Sequence, residues 1–281
     1  MGTLYLVATP IGNLEDITLR ALRTFSDVAL VAAEDTRTTR KLLTHHGIKQ
    51  RLISYNEHNM KQRTPRLLSA LEGGDVAFAS DAGTPGVSDP GFELARAAVE
   101  AGHEVVAIPG ASSLLTALSA SGLPMRGFTF VAFLPRRIGE RRRLLESLAT
   151  NPQTIVFFES PRRLLASLSA LREALGDRRV AVCRELTKLH EEIFRGTITE
   201  ALIHFTEPRG EFTVVVEGAT VKDDAARVPA ALRAASLRLA EMRATGIKAR
   251  EAVRVVAEEM GLSHRDVYTL WLDTGGKRPR G

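Results

Sequence analysis

Leu4-Tyr5-Leu6-Val7-Ala8 runs directly into Thr9-Pro10-Ile11-Gly12-Asn13, an apolar strand that ends in a rigid Pro/Gly/Asn turn. The pattern recurs twice. Val76–Ala79 leads into Ser80-Asp81-Ala82-Gly83-Thr84-Pro85-Gly86-Val87-Ser88-Asp89-Pro90-Gly91, and Val105–Ile108 leads into Pro109-Gly110-Ala111-Ser112-Ser113. Open α/β sheets bind ligands at the loops leaving the carboxyl ends of their strands. Three such loops predict one cleft.

Around these loops, short β-rich runs alternate with helical patterns up to about Ser121. Strands are expected at Leu4–Ala8, Val28–Ala33, Arg51–Ser54, Val76–Ser80 and Glu104–Ile108. Helices are expected near Leu19–Phe25, Thr38–His45, Arg63–Leu71, Phe92–Ala101 and Ser112–Ala120, with Gly47 and Gly102 placed as helix-ending glycines. This alternation predicts a parallel sheet with helices on both faces, in a first α/β domain over 1–121. After Leu123-Pro124 a second α/β domain is expected over 122–219. Its strands are Phe128–Phe133, Thr154–Phe158, Arg179–Cys183 and Thr213–Glu217, with Phe194–Ile198 as a further candidate. Helices fill Glu140–Leu148 and Pro161–Leu175. Gly210-Glu211-Phe212 reads as a turn into an antiparallel return strand, so this sheet is expected to be mixed.

A charged, Ala-rich linker from Ala219 to about Ala226 leads to a helical unit over 227–273. Leu232, Ala235, Leu239 and Met242 share one helical face, and Ala249, Val253, Val256 and Met260 form a second stripe. Ser263-His264-Arg265-Asp266 offers a cap for a third helix. The three helices have a helix-turn-helix-like pattern. Residues 274–281 read as a disordered basic tail.

The chain has 281 residues and a formal charge of +5. From Lys222 onward, twelve Lys/Arg stand against eight Asp/Glu, so the basic excess sits at the C-terminal end. That distribution suits a polyanionic partner, nucleic acid before membrane; a solvated helical surface explains it equally well. One cysteine, Cys183, excludes a disulfide framework. No apolar run approaches the roughly 18 residues of a membrane span, and no signal pattern opens the sequence. A cytoplasmic protein is expected.

The loops themselves exclude two common ligand classes. The first has one glycine, Gly12, where a dinucleotide fold needs G-x-G-x-x-G, and no Gly-Lys-Ser/Thr occurs. The 80–91 loop holds Asp81 and Asp89 with no cation, against the usual phosphate-binding composition. It suits a neutral or cationic ligand presenting hydroxyls and a nucleoside face.

The Pro10 loop, the Ser80-Asp81 loop, Pro109–Ser113 and Glu159-Ser160-Pro161-Arg162 resemble the ordered motifs of the tetrapyrrole methylase superfamily. Within it, Thr9–Leu14, Ala33-Glu34-Asp35-Thr36-Arg37 and Ser80–Pro85 are similar to the ribosomal RNA small subunit methyltransferase I family. The resemblance spans Leu4 to about Gly218 and continues into the helical unit. It implies 2′-O-methylation of a cytidine in small-subunit ribosomal RNA, S-adenosylmethionine as methyl donor, and a homodimer acting on the RNA or the assembled small subunit. Carried over by motif position, the donor cradle would be Pro10, Ser80, Asp81, Ala82, Gly83, Val87, Ser88, Ser112, Ser113 and Glu159. Glu159 departs from what the resemblance implies for relatives on small substrates, which usually have an apolar residue there. Two readings stand for it: a carboxylate favouring the sulfonium cation, or a structural partner of Arg162 or Arg163.

A 2′-hydroxyl is a very weak acid, so some group must take its proton or lower its pKa. Candidates lie just past strand ends: Glu34 and Asp35, His58 within Tyr55–Asn59, and Lys188 after Cys183. Lys188 or His58 would act on the hydroxyl and Asp35 or Glu34 would orient it; alternatively Asp35 and Arg37 form a structural ion pair. The histidines and the single cysteine show no zinc-ligand spacing, so no metal is expected. Phosphate contacts are expected from Arg37, Arg136, Arg137 and Arg162, the middle two in a run of five arginines between Arg136 and Arg143. Two other readings stay open, a methyltransferase on a small tetrapyrrole precursor and a non-catalytic ribosome-associated RNA-binding protein.

Overall fold

Apolar runs of three to five residues form the first sheet, and the helices between them cover it. The elements are β1 (Thr3–Val7), α1 (Leu19–Asp27), β2 (Leu30–Ala33), α2 (Thr36–His45), β3 (Leu52–Ser54), α3 (Met60–Gly73), β4 (Val76–Ala79), α4 (Gly91–Glu100), β5 (Glu104–Ile108) and α5 (Ser113–Ser121). The computed structural model describes residues 2–86, 89–220 and 230–273. The strand order is β3-β2-β4-β1-β5, with every pairing parallel. Every residue of β2 and β4 is buried, as expected of strands covered on both faces. Their side chains alternate. Leu30, Ala32, Val76 and Phe78 pack with Leu67, Leu71 and Leu94 on one face, while Val31, Ala77 and Ala79 pack with Ala21, Phe25 and Leu43 on the other.

The second sheet contains β6 (Phe128–Phe133), β7 (Thr154–Glu159), β8 (Arg179–Arg184), β9 (Glu192–Thr197) and β10 (Phe212–Val216) in the order β6-β7-β10-β8-β9. β6 and β7 are parallel, and the other pairs are antiparallel. The sheet is therefore mixed. Helices α6 (Ile138–Ser147), α7 (Pro161–Leu175) and α8 (Ile198–His204) accompany it. One face packs under Leu145, Leu164, Leu168, Leu171 and Ala201. The other meets α5: Ala117 and Leu118 pack with Val156, Ala181, Cys183 and Val215. Thus the last helix of the first half roofs the sheet of the second.

Two sequence expectations change. The candidate strand at Phe194–Ile198 is a full edge strand, β9, beginning at Glu192. Helix α3 starts at Met60 rather than Arg63 and contains Pro65. Asn56 and Asn59 supply the turn from which α3 grows.

The contacts form two compact units, Met1–Gly218 and Ala219–Gly281. Both sheets lie in the first. The second holds α9 (Ala230–Ala244), α10 (Ala249–Met260) and α11 (His264–Asp273). Ala235, Leu239, Met242, Val253, Val256, Val267 and Trp271 form its core. Ser263 caps α11 as its sequence suggests, accepting from the Asp266 amide at 3.1 Å. Most of the expected linker and the whole basic tail lie outside the described residues. Among the described residues no helix is long and apolar enough to cross a membrane.

Candidate active site

The strands preceding the three loops, β4, β1 and β5, are adjacent in the first sheet. The loops therefore leave one edge side by side, and hydrogen bonds join them. Thr9 and Gly83 exchange backbone bonds of 2.9 and 3.0 Å, Thr9 Oγ1 donates to the Ser80 carbonyl, and Thr84 Oγ1 donates to the Ala111 carbonyl. Gly83 has φ +78°, a conformation that glycine adopts without penalty. Ser112 caps α5, accepting from the Leu115 amide.

Two adjoining cavities open between this edge and the second sheet. One, of about 360 Å³, has a mostly apolar lining that includes Ile11, Ala82, Phe133, Phe158, Leu186 and Phe212, with Ser113 and Glu159 among its polar groups. The other, of about 450 Å³, is lined by Pro10, Gly12, Thr38, Thr39, Ser80, Asp81 and Lys188 among others. Ile11, Ala82 and Glu211 line both, so the cavities adjoin along one cleft edge. Ser80 Oγ is buried and has no hydrogen-bond partner among the described residues, a polar atom at a site where a ligand can supply one.

Of the expected cradle residues, Ala82, Ser113 and Glu159 line the first cavity, and Pro10, Ser80, Asp81 and Ala82 the second. Gly83 lies in the bridge with Thr9. Ser112 lines a separate shallow depression along α5. Val87 and Ser88 lie outside the described residues. Both carboxylate oxygens of Glu159 are engaged by the protein. Oε2 accepts from Ser167 Oγ at 2.6 Å, and Oε1 accepts from the Ser160 amide at 2.9 Å and lies 3.5 Å from Arg163 Nε. Its cationic partner is thus Arg163, while Arg162 is exposed.

The proton-transfer candidates separate clearly. Glu34 Oε2 accepts from the Asp81 amide at 3.1 Å, and Asp81 Oδ1 accepts from the Asp35 amide at 2.9 Å. Burial raises the pKa of both carboxyls; neighbouring acids add to the rise at Glu34. Asp35 instead caps α2 and chelates Arg37, whose hydrogen bonds hold its carboxyl at about 2. Asp35 and Arg37 are therefore a structural pair. Neither Glu34 nor His58 lines either cavity, but Glu34 is bonded to Asp81, which does, whereas His58 is exposed. Lys188 does reach the cleft, where its Nζ is held 2.9 Å from Glu185 Oε1 and 2.8 Å from Glu211 Oε2. Burial would lower its pKa, but the two carboxylates outweigh burial and raise it. Lys188 is an ammonium, unsuited to accept a proton.

The loop carrying Lys188 is under backbone strain, since Glu185 (φ 49°) and Thr187 (φ 67°) adopt left-handed conformations without being glycine. Thr187 Oγ1 accepts from the Asn13 amide at 3.1 Å, which ties this loop to the one after β1. Sequence reading missed Glu211 as a ligand of Lys188, although the Gly210-Glu211-Phe212 turn was legible. It also missed the apolar lining, because Phe133, Phe158 and Leu186 look like ordinary core residues in a one-dimensional pattern. Among the arginines, Arg137 pairs with Glu140 at 3.1 Å, whereas Arg136 is exposed and forms no ion pair among the described residues.

The family model for Tetrapyrrole (Corrin/Porphyrin) Methylases matches residues 3–202. The chain is 45% identical over 274 residues to ribosomal RNA small subunit methyltransferase I of Halalkalibacterium halodurans, covering 96% of this chain and 94% of that one. It is 52% identical over 221 residues to the protein of the same name from Thermotoga maritima, covering 78% of this chain and 99% of the relative. The latter is therefore shorter by about the size of the helical unit. Among solved structures, a uroporphyrin-III-C-methyltransferase from Thermus thermophilus superposes with a TM-score of 0.55 at 26% identity, covering 76% of this chain and 94% of that one. With the paired sheets and the three-loop edge, these matches establish that the chain belongs to the tetrapyrrole methylase family and, within it, to the ribosomal RNA small subunit methyltransferase I family.

Proposed function

We propose that this protein transfers a methyl group from S-adenosylmethionine to the 2′-hydroxyl of a cytidine in small-subunit ribosomal RNA, acting in the cytoplasm as a homodimer. The observation that carries this reading is the joining of the three loops at one edge, where a mostly apolar cavity adjoins a more polar one lined by Asp81 and Lys188. The residues fit the donor. The apolar cavity suits an adenosyl group, Asp81 offers a carboxylate acceptor, and the unpartnered Ser80 Oγ can bond a polar group. Pro10, Ala82, Gly83 and Ser113 would complete the cradle. Val87, Ser88 and Ser112 stay in it by motif position alone.

When bound, S-adenosylmethionine supplies an electrophilic methyl on a sulfonium, whose departure leaves a neutral thioether. The protein must then align the hydroxyl and remove its proton, and alignment alone can contribute several kcal/mol. We assign proton removal to Glu34, whose carboxylate is held beside the second cavity by the amide of cavity-lining Asp81 and whose pKa burial raises toward the operating range of a base. Lys188 would hold the acceptor by its positive charge, and Asp35 would fix the loop that presents Glu34. His58 has no role in this assignment. Arg136, Arg137 and Arg162 would contact phosphates, and Arg37 would do so from its exposed guanidinium.

The test has two arms. Labelled methyl should pass from S-adenosylmethionine to small ribosomal subunits or their RNA and not to porphyrin precursors. Transfer to the precursors alone would replace the acceptor. Calorimetry should detect binding of the donor and of its demethylated product; RNA affinity without donor binding would leave a non-catalytic binding protein.

A further inference from the structure

A group of acids lies beside the second cavity, which Asp81 lines. Glu34 lies in the field of Asp81, Asp89 and Glu57. RNA phosphates would be repelled there, so the strand entering the cleft needs a path where cations face it.

Such a path lies along β3, the edge strand of the first sheet. A groove of about 570 Å³ runs between β3 and α3. Its polar lining is Arg51, Arg63 and Arg66 with the hydroxyls of Thr36, Ser54 and Ser69, and it contains no carboxylate. Arg63, Arg66 and Ser69 recur every three residues and so share one face of α3. Some arginines of the first unit are paired with acids, as at Arg96, Arg142 and Arg179. Among the described residues none of the three groove arginines forms an ion pair, and Arg63 Nε is buried with no hydrogen-bond partner. A buried donor left unsatisfied is destabilising by about 1–3 kcal/mol, so the groove is suited to an acceptor from outside. Guanidinium forks match phosphate oxygens in pairs.

The groove also leads to the right place. Thr36 follows Asp35, and Ser54 ends β3, where its Oγ accepts from Asn59 Nδ2 at 3.1 Å. One end of the groove therefore opens at the sheet edge that carries the cleft. From there it follows α3 for about 10 Å, at roughly 1.5 Å per residue from Arg63 to Ala70.

We propose that this arginine-lined groove beside β3 binds the phosphate backbone of the RNA strand entering the cleft. This assignment rests on the RNA reading above. It is tested with Arg51→Ala/Arg66→Ala in the full chain, both residues being exposed. Binding of purified small subunits is measured across a salt series, with methyl transfer and donor calorimetry alongside. The double variant should bind about tenfold or more weakly, with the loss appearing in KM. Its salt slope should fall by between one and two, since each lost phosphate contact lowers the slope by about 0.7–0.9. Donor affinity should be unchanged. Wild-type methylation of subunits together with an unchanged KM and salt slope in the variant would overturn the groove and leave the function standing. If the wild type neither bound nor methylated RNA, both would fall. An Arg63→Lys variant keeps the charge but loses the fork, and should weaken binding while leaving the salt slope nearly unaltered.

Discussion

The backbone amide of Asp35 donates to Asp81 Oδ1 at 2.9 Å, while the amide of Asp81 donates back to Glu34 Oε2 at 3.1 Å. Two strand ends, 46 residues apart in sequence, are thereby tied to one acidic point. The pair turns opposed backbone donors onto two carboxylates that burial has already made harder to ionise.

The pH dependence of catalysis follows. If Glu34 is the base, it must be ionised, so kcat/KM should rise with pH through an apparent pKa above the ordinary 4.5 of a glutamate. Glu34→Gln should lower kcat by a factor of about 10²–10⁴ and remove that limb. A variant that kept the limb would exclude Glu34; loss of the limb in Asp81→Asn alone would transfer the role to Asp81. Stability responds with opposite signs at neighbouring residues. The raised carboxyl of Glu34 favours the fold below 4.5, and that contribution is lost as pH rises through its folded-state value. Asp35, held at about 2, stabilises the fold above 3.8, and this is lost as pH falls toward 2. Urea unfolding at pH 2–6 should show the acid-side loss diminished in Asp35→Asn.

Glu159 should behave as a structural anchor. Its carboxylate serves Ser167, Ser160 and Arg163, and breaking a buried pair by removing one partner costs about 3 kcal/mol or more. Glu159→Ala should therefore lower Tm by roughly 5–10 °C. Glu159→Gln retains an acceptor for Ser167 and should lose less. Its donor affinity should stay within about threefold of the wild type. A tenfold rise in donor Kd without a fall in Tm would show that the carboxylate acts on the sulfonium instead.

The sequence made the first sheet legible because each of its strands is a short apolar run closed by a turn, and parallel crossovers leave few ways to connect them. The three-loop edge followed, since Pro10, Ser80–Gly83 and Ser113 carry backbone instructions that survive in one dimension; Ser112, expected in the cradle, lines a separate depression. The lysine clamp did not. Glu185 and Glu211 are 26 residues apart, and only the antiparallel β8–β10 pairing brings Arg184 opposite Phe212 and those acids to one point. The β3 groove was equally hidden, because Arg51 and Arg63 become neighbours only when α3 packs beside the edge strand.

Gly12 permits that clamp to approach. A Cβ on Gly12 would meet Lys188 Cγ, lie 2.8 Å from Thr187 Oγ1 and 3.1 Å from the Leu186 carbonyl. Gly12→Ala should cost about 1–3 kcal/mol through overpacking and displace Lys188, lowering subunit methylation by tenfold or more. Gly139, in the first turn of α6, has no atom within 4 Å of an added Cβ. Gly139→Ala should leave activity unchanged and raise stability by up to about 1 kcal/mol. Equal behaviour of the two variants in thermal melts and methyl transfer would show that no close approach at Gly12 matters.

The helical unit should serve RNA rather than the donor. Its core, from Ala235 to Trp271, is its own, and the Thermotoga relative is matched over 99% of a chain that is shorter by about this much. The segment from Lys222 carries twelve Lys/Arg against eight acids, so its removal subtracts positive charge and keeps every residue of the three loops in the chain. A chain ending at Thr220 should melt cooperatively and bind S-adenosylmethionine with affinity within about twofold of the full chain. Its affinity for small subunits should fall, with a shallower salt dependence, because fewer counterions are released on binding. Calorimetry and filter binding on the same preparation compare the two losses. A donor affinity that fell as far as RNA affinity would mean that these helices support the fold of the first unit.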